Sequence, residues 1–246
     1  MNEPLLTARF VERPNRFRVV AALVETGEIV IAHCPDPGRL RELLLPGAPI
    51  YLRSAQSPAR KTHYDLLLVE HPTTGQLVSL DTRLPNNLFE QGLRRSFFPA
   101  FADYPLWRRE VPLPHLAGDG VNSRIDFQLR TSAGDICWVE VKSATLVEKG
   151  VGLFPDAVTA RGRRHLQHLA QRVQHGEQAA VVFIVQRPDA AIVRAHRVAD
   201  PAFADALTLA AQMGVAFHAC TCQVSLDGVT LHRMIEVDTG VHYSPV

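Results

Sequence analysis

The residues best equipped for chemistry lie in one stretch, SRIDFQLRTSAGDICWVEVKS. It alternates: Ile125, Phe127 and Leu129 fall on one side, and Arg124, Asp126, Gln128 and Arg130 on the other, the period-2 pattern of a strand. Glu140 and Lys142 stand two apart on a second strand and so project from one face. The intervening TSAGD, with Gly134, reads as a polar hairpin loop. Antiparallel counting about Ala133 sets Asp126 opposite Glu140 and Arg124 opposite Lys142, with opposed Cβ atoms ~4.5–5.5 Å apart. Carboxylates that close repel, and a hard divalent cation such as Mg2+ or Mn2+ offsets the repulsion. A lysine beside such an ion suits phosphodiester hydrolysis, orienting water and offsetting charge in the transition state. The competing reading is an exposed face of mixed charge, with Lys142 neutralising Glu140. Register decides, because a slip of one residue separates the two acids.

The flanks favour the site. Ile136, Cys137, Trp138, Val139 and Val141 make the second strand apolar, as in a central strand covered on both faces. An acid and a lysine there are desolvated and need partners.

Around this hairpin the pattern reads as two parts. Residues 17–24, 29–33, 48–52 and 64–70 are β-rich and punctuated by glycines, with a short helix over 38–45. Such spacing suits a small OB-like barrel over residues 1–80. From 81 to 246 the order is helix (88–98, capped by Asn86 or Asn87), strands (107–113, 124–130, 136–142), helix (159–175), strand (179–186), helix (202–213) and strand (215–220). That is an α/β domain, and AAVVFIVQ is a strand buried on both faces.

Several stretches resemble the sugar fermentation stimulation protein family along nearly the whole chain. They are RPNRF at 13–17, AHCPDPGRL at 32–40, SRIDF at 123–127, VEVKS at 139–143, FPDAVTARGRRHL at 154–166 and VVFIVQRPD at 181–189. The resemblance implies DNA binding, an N-terminal OB-like β-barrel, and a C-terminal mixed-sheet domain similar to PD-(D/E)xK nucleases, α+β overall. It also implies Asp126, Glu140 and Lys142 as the catalytic set, with Asp126 and Glu140 on the metal. An acid on the first helix often completes such sites; Glu90 holds that position or is a solvent-facing helix residue. Where the family usually has Asn-Thr-Gly, this chain reads Asp36-Pro37-Gly38.

DNA contacts are expected in two places. The helix TARGRRHLQHLAQRVQHG carries Arg161, Arg163 and Arg164 with no acid, a positive strip beside the metal site. Arg9, Arg13, Arg16 and Arg18 lie among Phe10 and Phe17, a mixture that suits single-strand binding; either ring reads equally as barrel core. Arg124 adds a cation at the hairpin.

Composition is ordinary for a globular protein, 46% hydrophobic and 21% charged. Net charge of +1 leaves any nucleic-acid affinity to local patches. No run has signal-peptide or membrane-span character, so a cytoplasmic protein is expected. Cys34, Cys137, Cys220 and Cys222 read as reduced core residues; the last two, with His218, are the alternative metal set. The functional readings are a Mg2+- or Mn2+-dependent DNA endonuclease or exonuclease, a non-catalytic regulatory DNA-binding protein on the same scaffold, and an RNA-processing or RNA-binding protein.

Overall fold

The computed structural model describes residues 4–55, 60–114 and 123–241. Strands β1 (Leu6–Asn15), β2 (Arg18–Leu23), β3 (Ile29–His33), β4 (Pro49–Ser54) and β5 (Tyr64–Glu70) form a sheet that closes on itself. Antiparallel pairs join β3-β2-β1-β4-β5, and a parallel β3–β5 pairing closes the ring, which is an OB-like barrel. A short β6 (Leu77–Ser79) extends β5. Alternation drives the closure: Ala8 and Phe10, Val19 and Ala21, Val30 and Ala32, Ile50 and Leu52 all point inward and are buried.

The helix expected over 38–45 does not form. Leu40 takes φ +50°, the left-handed region that stops helix propagation. The segment makes a single turn, Leu44 N–H to Leu40 O at 2.9 Å, and Leu40, Leu43 and Leu44 plug the barrel core instead.

The second part is a nine-stranded mixed sheet. Its order is β10 (Val147–Glu148), β11 (Val151–Phe154), β13 (Ile192–Ala195), β15 (Gly228–Asp238), β14 (Ala216–Ser225), β12 (Gln178–Val185), β9 (Ile136–Ala144), β8 (Arg124–Arg130) and β7 (Leu106–Pro112). β9, β12 and β14 run parallel, and helices α2 (Ala160–Gln174) and α3 (Pro201–Gln212) lie between them in the chain. Leu166, Leu169, Phe203 and Leu207 of these helices pack with Trp138, Val181 and Phe183 on one face. Helix α1 (Leu84–Arg94) covers the other face, where Leu88 and Phe89 meet Phe127, Val139 and Val182. β9 is therefore central and buried on both sides, as its composition predicts.

α1 starts four residues earlier than the sequence suggests. Pro85 sits at the helix start, where its fixed φ and missing N–H cost nothing, so Asn86 and Asn87 fall in the first turn rather than at the cap. Gly92 on this helix lies against Phe98, and a Cβ there would run into the Phe98 ring and Leu231. Gly92→Ala should therefore destabilise by ~1–3 kcal/mol through overpacking. A helix-propensity gain of about 1 kcal/mol opposes this and is the smaller effect. Urea unfolding of the two proteins checks it; a midpoint raised by the full propensity gain would show that the Phe98 ring moves freely.

The two parts are bonded together. Ser79 pairs with Gln186 through backbone (3.0 Å) and side chain (2.7 Å). Arg39 N–H donates to Asp156 Oδ2 at 2.5 Å, and Thr82 Oγ1 donates to Pro35 O at 3.0 Å. No helix among the described residues is long and apolar enough to cross a membrane.

Candidate metal and nucleic-acid site

β8 and β9 pair with the register that hairpin counting predicts: Phe127 with Val139, Gln128 with Trp138, Leu129 with Cys137, Arg130 with Ile136. Beyond Phe127 the ladder stops. Asp126 turns its carboxylate between the strands, and Oδ2 accepts the Val141 N–H at 2.8 Å. On the other side Arg109–Phe127 and Val111–Ile125 pair, but Glu110 and Asp126 do not, and Glu110 takes φ +51°. The strand turns over at this point. Ile125 accordingly packs with the α2–α3 core while Phe127 and Leu129 pack under α1, so these three residues do not share one face. Nor does the ladder extend to pair Arg124 with Lys142.

Glu140 is 3% exposed. Its Oε1 accepts Lys142 Nζ at 2.6 Å and also meets His165 Nδ1, while Oε2 is buried with no hydrogen-bond partner among the described residues. Burial alone would raise the Glu140 pKa, but the Lys142 charge and the His165 bond outweigh it and hold the carboxyl below its ordinary range. Asp126 goes the other way. Burial, then the Glu140 charge, pushes it up to about 6, against the pull of Val141 N–H and of Asn86 Nδ2, which donates to Oδ1 at 3.0 Å. Lys142 is the cation bonded to Glu140, whereas Asp126 is held by two neutral donors.

His165 is the residue that sequence reasoning leaves out of this cluster. Arg161 Nε donates to its Nε2 at 3.4 Å, so Nδ1 carries the proton toward Glu140. The signal is its position on α2: His165 shares the apolar stripe of Leu166, Leu169 and Ala170, and all four are buried. A polar residue on a core-facing stripe needs a partner, and Glu140 is that partner. Asn86, a cap by its sequence position, instead holds Asp126.

Glu90 stands apart from this cluster. It accepts Arg94 (2.7 Å), Trp107 Nε1 (3.3 Å) and Arg109 (3.0 Å), and these bonds hold its carboxyl below the usual range. Among the described residues no group of three or more His, Cys, Asp and Glu is placed to hold a metal ion.

The arginines divide by use. Arg13 is structural: its guanidinium donates to the carbonyls of Arg16 (2.6 Å), Asp36 (2.8 Å), Gly38 (2.6 Å) and Arg39 (3.0 Å), pinning two loops together. Arg163 pairs with Asp200 at 3.1 Å, the residue that caps α3. Arg163 and Arg164 line a groove between α2 and α3, so the basic strip splits and only Arg161 turns toward Lys142. Arg9 donates to Gly47 O at 3.3 Å, and Arg16, Arg18 and Arg124 are exposed. Phe10 is barrel core, whereas Phe17 is 49% exposed and its ring stacks on His33. Cys34, Cys137, Cys220 and Cys222 are all buried free thiols. Burial pushes Cys222 up to about 12, and His218 packs edge-on to Phe101, so nothing gathers a metal there.

Between barrel and sheet lies a cleft of about 530 Å³. Arg16, Pro35 and Pro37 line it from the barrel, and Lys142, Phe154, Pro155 and Arg161 from the sheet domain.

An OB-like barrel docked on a mixed sheet, with Asp, Glu and Lys on its central hairpin, defines a two-part class of protein. Known proteins give the class its name. Residues 11–80 match the family model described as the SfsA N-terminal OB domain, and 83–228 the sugar fermentation stimulation protein RE domain. A sugar fermentation stimulation protein homolog of Moorella thermoacetica is 46% identical over 95% of each chain. Its counterpart in Chloroflexus aurantiacus is 42% identical over 95% of this chain and 86% of its own. The solved structure of Pyrococcus furiosus SfsA in complex with Ca2+ superposes with a TM-score of 0.83, at 30% identity over 97% of this chain and 98% of that one. The chain belongs to the sugar fermentation stimulation protein family.

Proposed function

We propose that the chain binds DNA and hydrolyses its phosphodiester bonds at a divalent-metal site formed by Asp126 and Glu140, with Lys142 beside it. The observation that carries this reading is Glu140 Oε2, a buried carboxylate oxygen without a partner, next to an Asp126 whose pKa its charge helps to raise. A buried acceptor left unpaired is costly, and a hard cation satisfies it and Asp126 together. Oxygen-only ligation suits Mg2+ or Mn2+, and the Ca2+ in the Pyrococcus relative is an ion of the same hard class. When bound, the ion lowers the pKa of its water and polarises the phosphate. The chain's own residues do the positioning. Val141 N–H and Asn86 orient Asp126, and His165 with Lys142 holds Glu140 Oε1, which leaves Oε2 free for the ion.

Titration calorimetry with Mg2+ and Mn2+ tests the site. Wild type should bind one ion, and Glu140→Gln should lower the affinity at least tenfold, with a cooperative thermal melt showing that the variant is folded. Equal affinity in both proteins would refute the site.

The second reading, a DNA-binding protein that does not cleave, draws on a different observation. Among the described residues two carboxylates converge here, and Glu90 is engaged by Arg94, Arg109 and Trp107.

A further inference from the structure

Phe17 and His33 form a platform on the outside of the barrel. Their ring centroids are 6.3 Å apart with planes 20° from parallel. The stack is built in: Phe17 O accepts both Cys34 N–H at 3.0 Å and His33 Nδ1 at 3.2 Å. Arg18 is the direct cross-strand partner of His33, so a cation flanks the rings. Nothing in the barrel's packing needs Phe17, whose ring is half exposed while Phe10, Val19 and Val30 fill the core.

Arg16, next in the chain, joins this platform to the interdomain cleft, which it lines. The path then runs between Pro35 and Pro37 on one wall and Phe154 and Pro155 on the other, and reaches Lys142 and Arg161. Arg13 bonds to carbonyls on both sides of the entrance, at Arg16 and at Asp36, Gly38 and Arg39, so the mouth has a fixed shape. The two acids on the path each accept one backbone N–H. Asp36 Oδ1 accepts Gly38 N–H at 2.8 Å, and Asp156 Oδ2 accepts Arg39 N–H at 2.5 Å. Of the cations, Lys142 Nζ donates to Glu140 Oε1 at 2.6 Å and Arg161 Nε donates to His165 Nε2 at 3.4 Å, and Arg16 is exposed.

We infer that this path binds one unpaired nucleic-acid strand, a base stacking on Phe17 and His33 while the strand runs past Arg16 through the cleft to Lys142. The substrate of the site is then single-stranded. A duplex keeps its base faces stacked on one another and offers none to an exposed ring, whereas an unpaired strand offers one at every base. A cleft that sets prolines and Phe154 beside Arg16, Lys142 and Arg161 likewise suits splayed bases with phosphates between them. This inference rests on the phosphodiester reading of the Asp126–Glu140–Lys142 site.

The experiment uses the full chain with Ca2+ or EDTA and fluorescent oligonucleotides of about 12 nucleotides, within the range one OB fold covers. Single-stranded DNA, single-stranded RNA and duplex DNA of one sequence are compared by anisotropy, with 2-aminopurine at internal positions. The single strand of at least one backbone should bind at least tenfold more tightly than the duplex. Phe17→Ala should lose about 5- to 100-fold of that affinity, leave duplex binding unchanged, and abolish the 2-aminopurine quenching seen in wild type. Phe17→Trp should restore both, and a thermal melt should show all variants folded. Equal single-strand affinity in wild type and Phe17→Ala, or a duplex bound as tightly as either strand, would overturn the path while leaving the metal site standing. A wild type that binds neither Ca2+ nor any oligonucleotide would overturn the underlying function as well.

Discussion

Lys142→Ala is expected to remove metal-dependent cleavage by about 10²–10³-fold while DNA affinity falls only a few-fold. The size follows from the loss of one positioned charge where negative charge develops in the transition state. Lys142 is well placed to supply that charge, because it lines the cleft and its Nζ sits 2.6 Å from Glu140 Oε1. As one phosphate contact among several, its ground-state contribution should shift the salt dependence of binding by about one unit. Removing it has a second effect that must be separated. Glu140 is buried, and without Lys142 the cost of its charge rises, so its pKa climbs and metal affinity falls at acidic pH. Plasmid nicking should therefore be run above neutral pH with saturating Mg2+ or Mn2+, beside a salt-titrated binding assay on the same proteins. If wild type binds a range of DNA forms and nicks none with either metal, the non-catalytic reading holds and the catalytic one fails.

The hairpin is legible in the sequence because its information is local. The turn sets the register, and the register brings Asp126 and Glu140 into one neighbourhood. Alternation alone does not show that Asp126 leaves the ladder. That depends on Glu110 taking a left-handed φ on β7 and on Val141 N–H being left for a side chain. His165 and Asn86 are out of reach for a related reason. Each is placed by a helix packed on a different face of the sheet, and period-3.6 reasoning gives a helix's face without its neighbour. The barrel reads as short strands, but neither β1 nor the later β15 stands out among the strands that patterning predicts. Both carry many exposed and charged residues, so their pairing is decided by neighbours rather than by their own apolar content. Arg13 shows the limit for charge patterns. Its two terminal nitrogens donate to four backbone carbonyls, and no count of nearby arginines distinguishes that from a free cation.

Asp126→Asn is expected to stabilise the metal-free protein at neutral pH, the reverse of what loss of a structural residue would do. Asp126 has a folded pKa of about 6 against an ordinary 3.8, so the folded state holds its proton more tightly than the unfolded chain. Stability from this group is then full below pH 3.8, declines as pH rises toward about 6, and is lost above that. Asparagine does not ionise and escapes the loss. At 1.36 kcal/mol per unit the gain above pH 6 is roughly 2–3 kcal/mol. Against it stands one weakened bond, because the single amide oxygen must serve both Val141 N–H and Asn86 Nδ2, at about 1 kcal/mol. The net expectation is about 1–2 kcal/mol in favour of the variant at pH 7 in EDTA, and no advantage below pH 4. Metal should invert the order. An ion at a hundred times its Kd stabilises wild type by about 2.7 kcal/mol and leaves a variant that cannot hold it unchanged. Urea unfolding at pH 4 and pH 7, with EDTA and with Mg2+, gives all four values. A variant less stable than wild type at pH 7 in EDTA would show that Asp126 is held by its hydrogen bonds, with no uncompensated charge for a metal to balance.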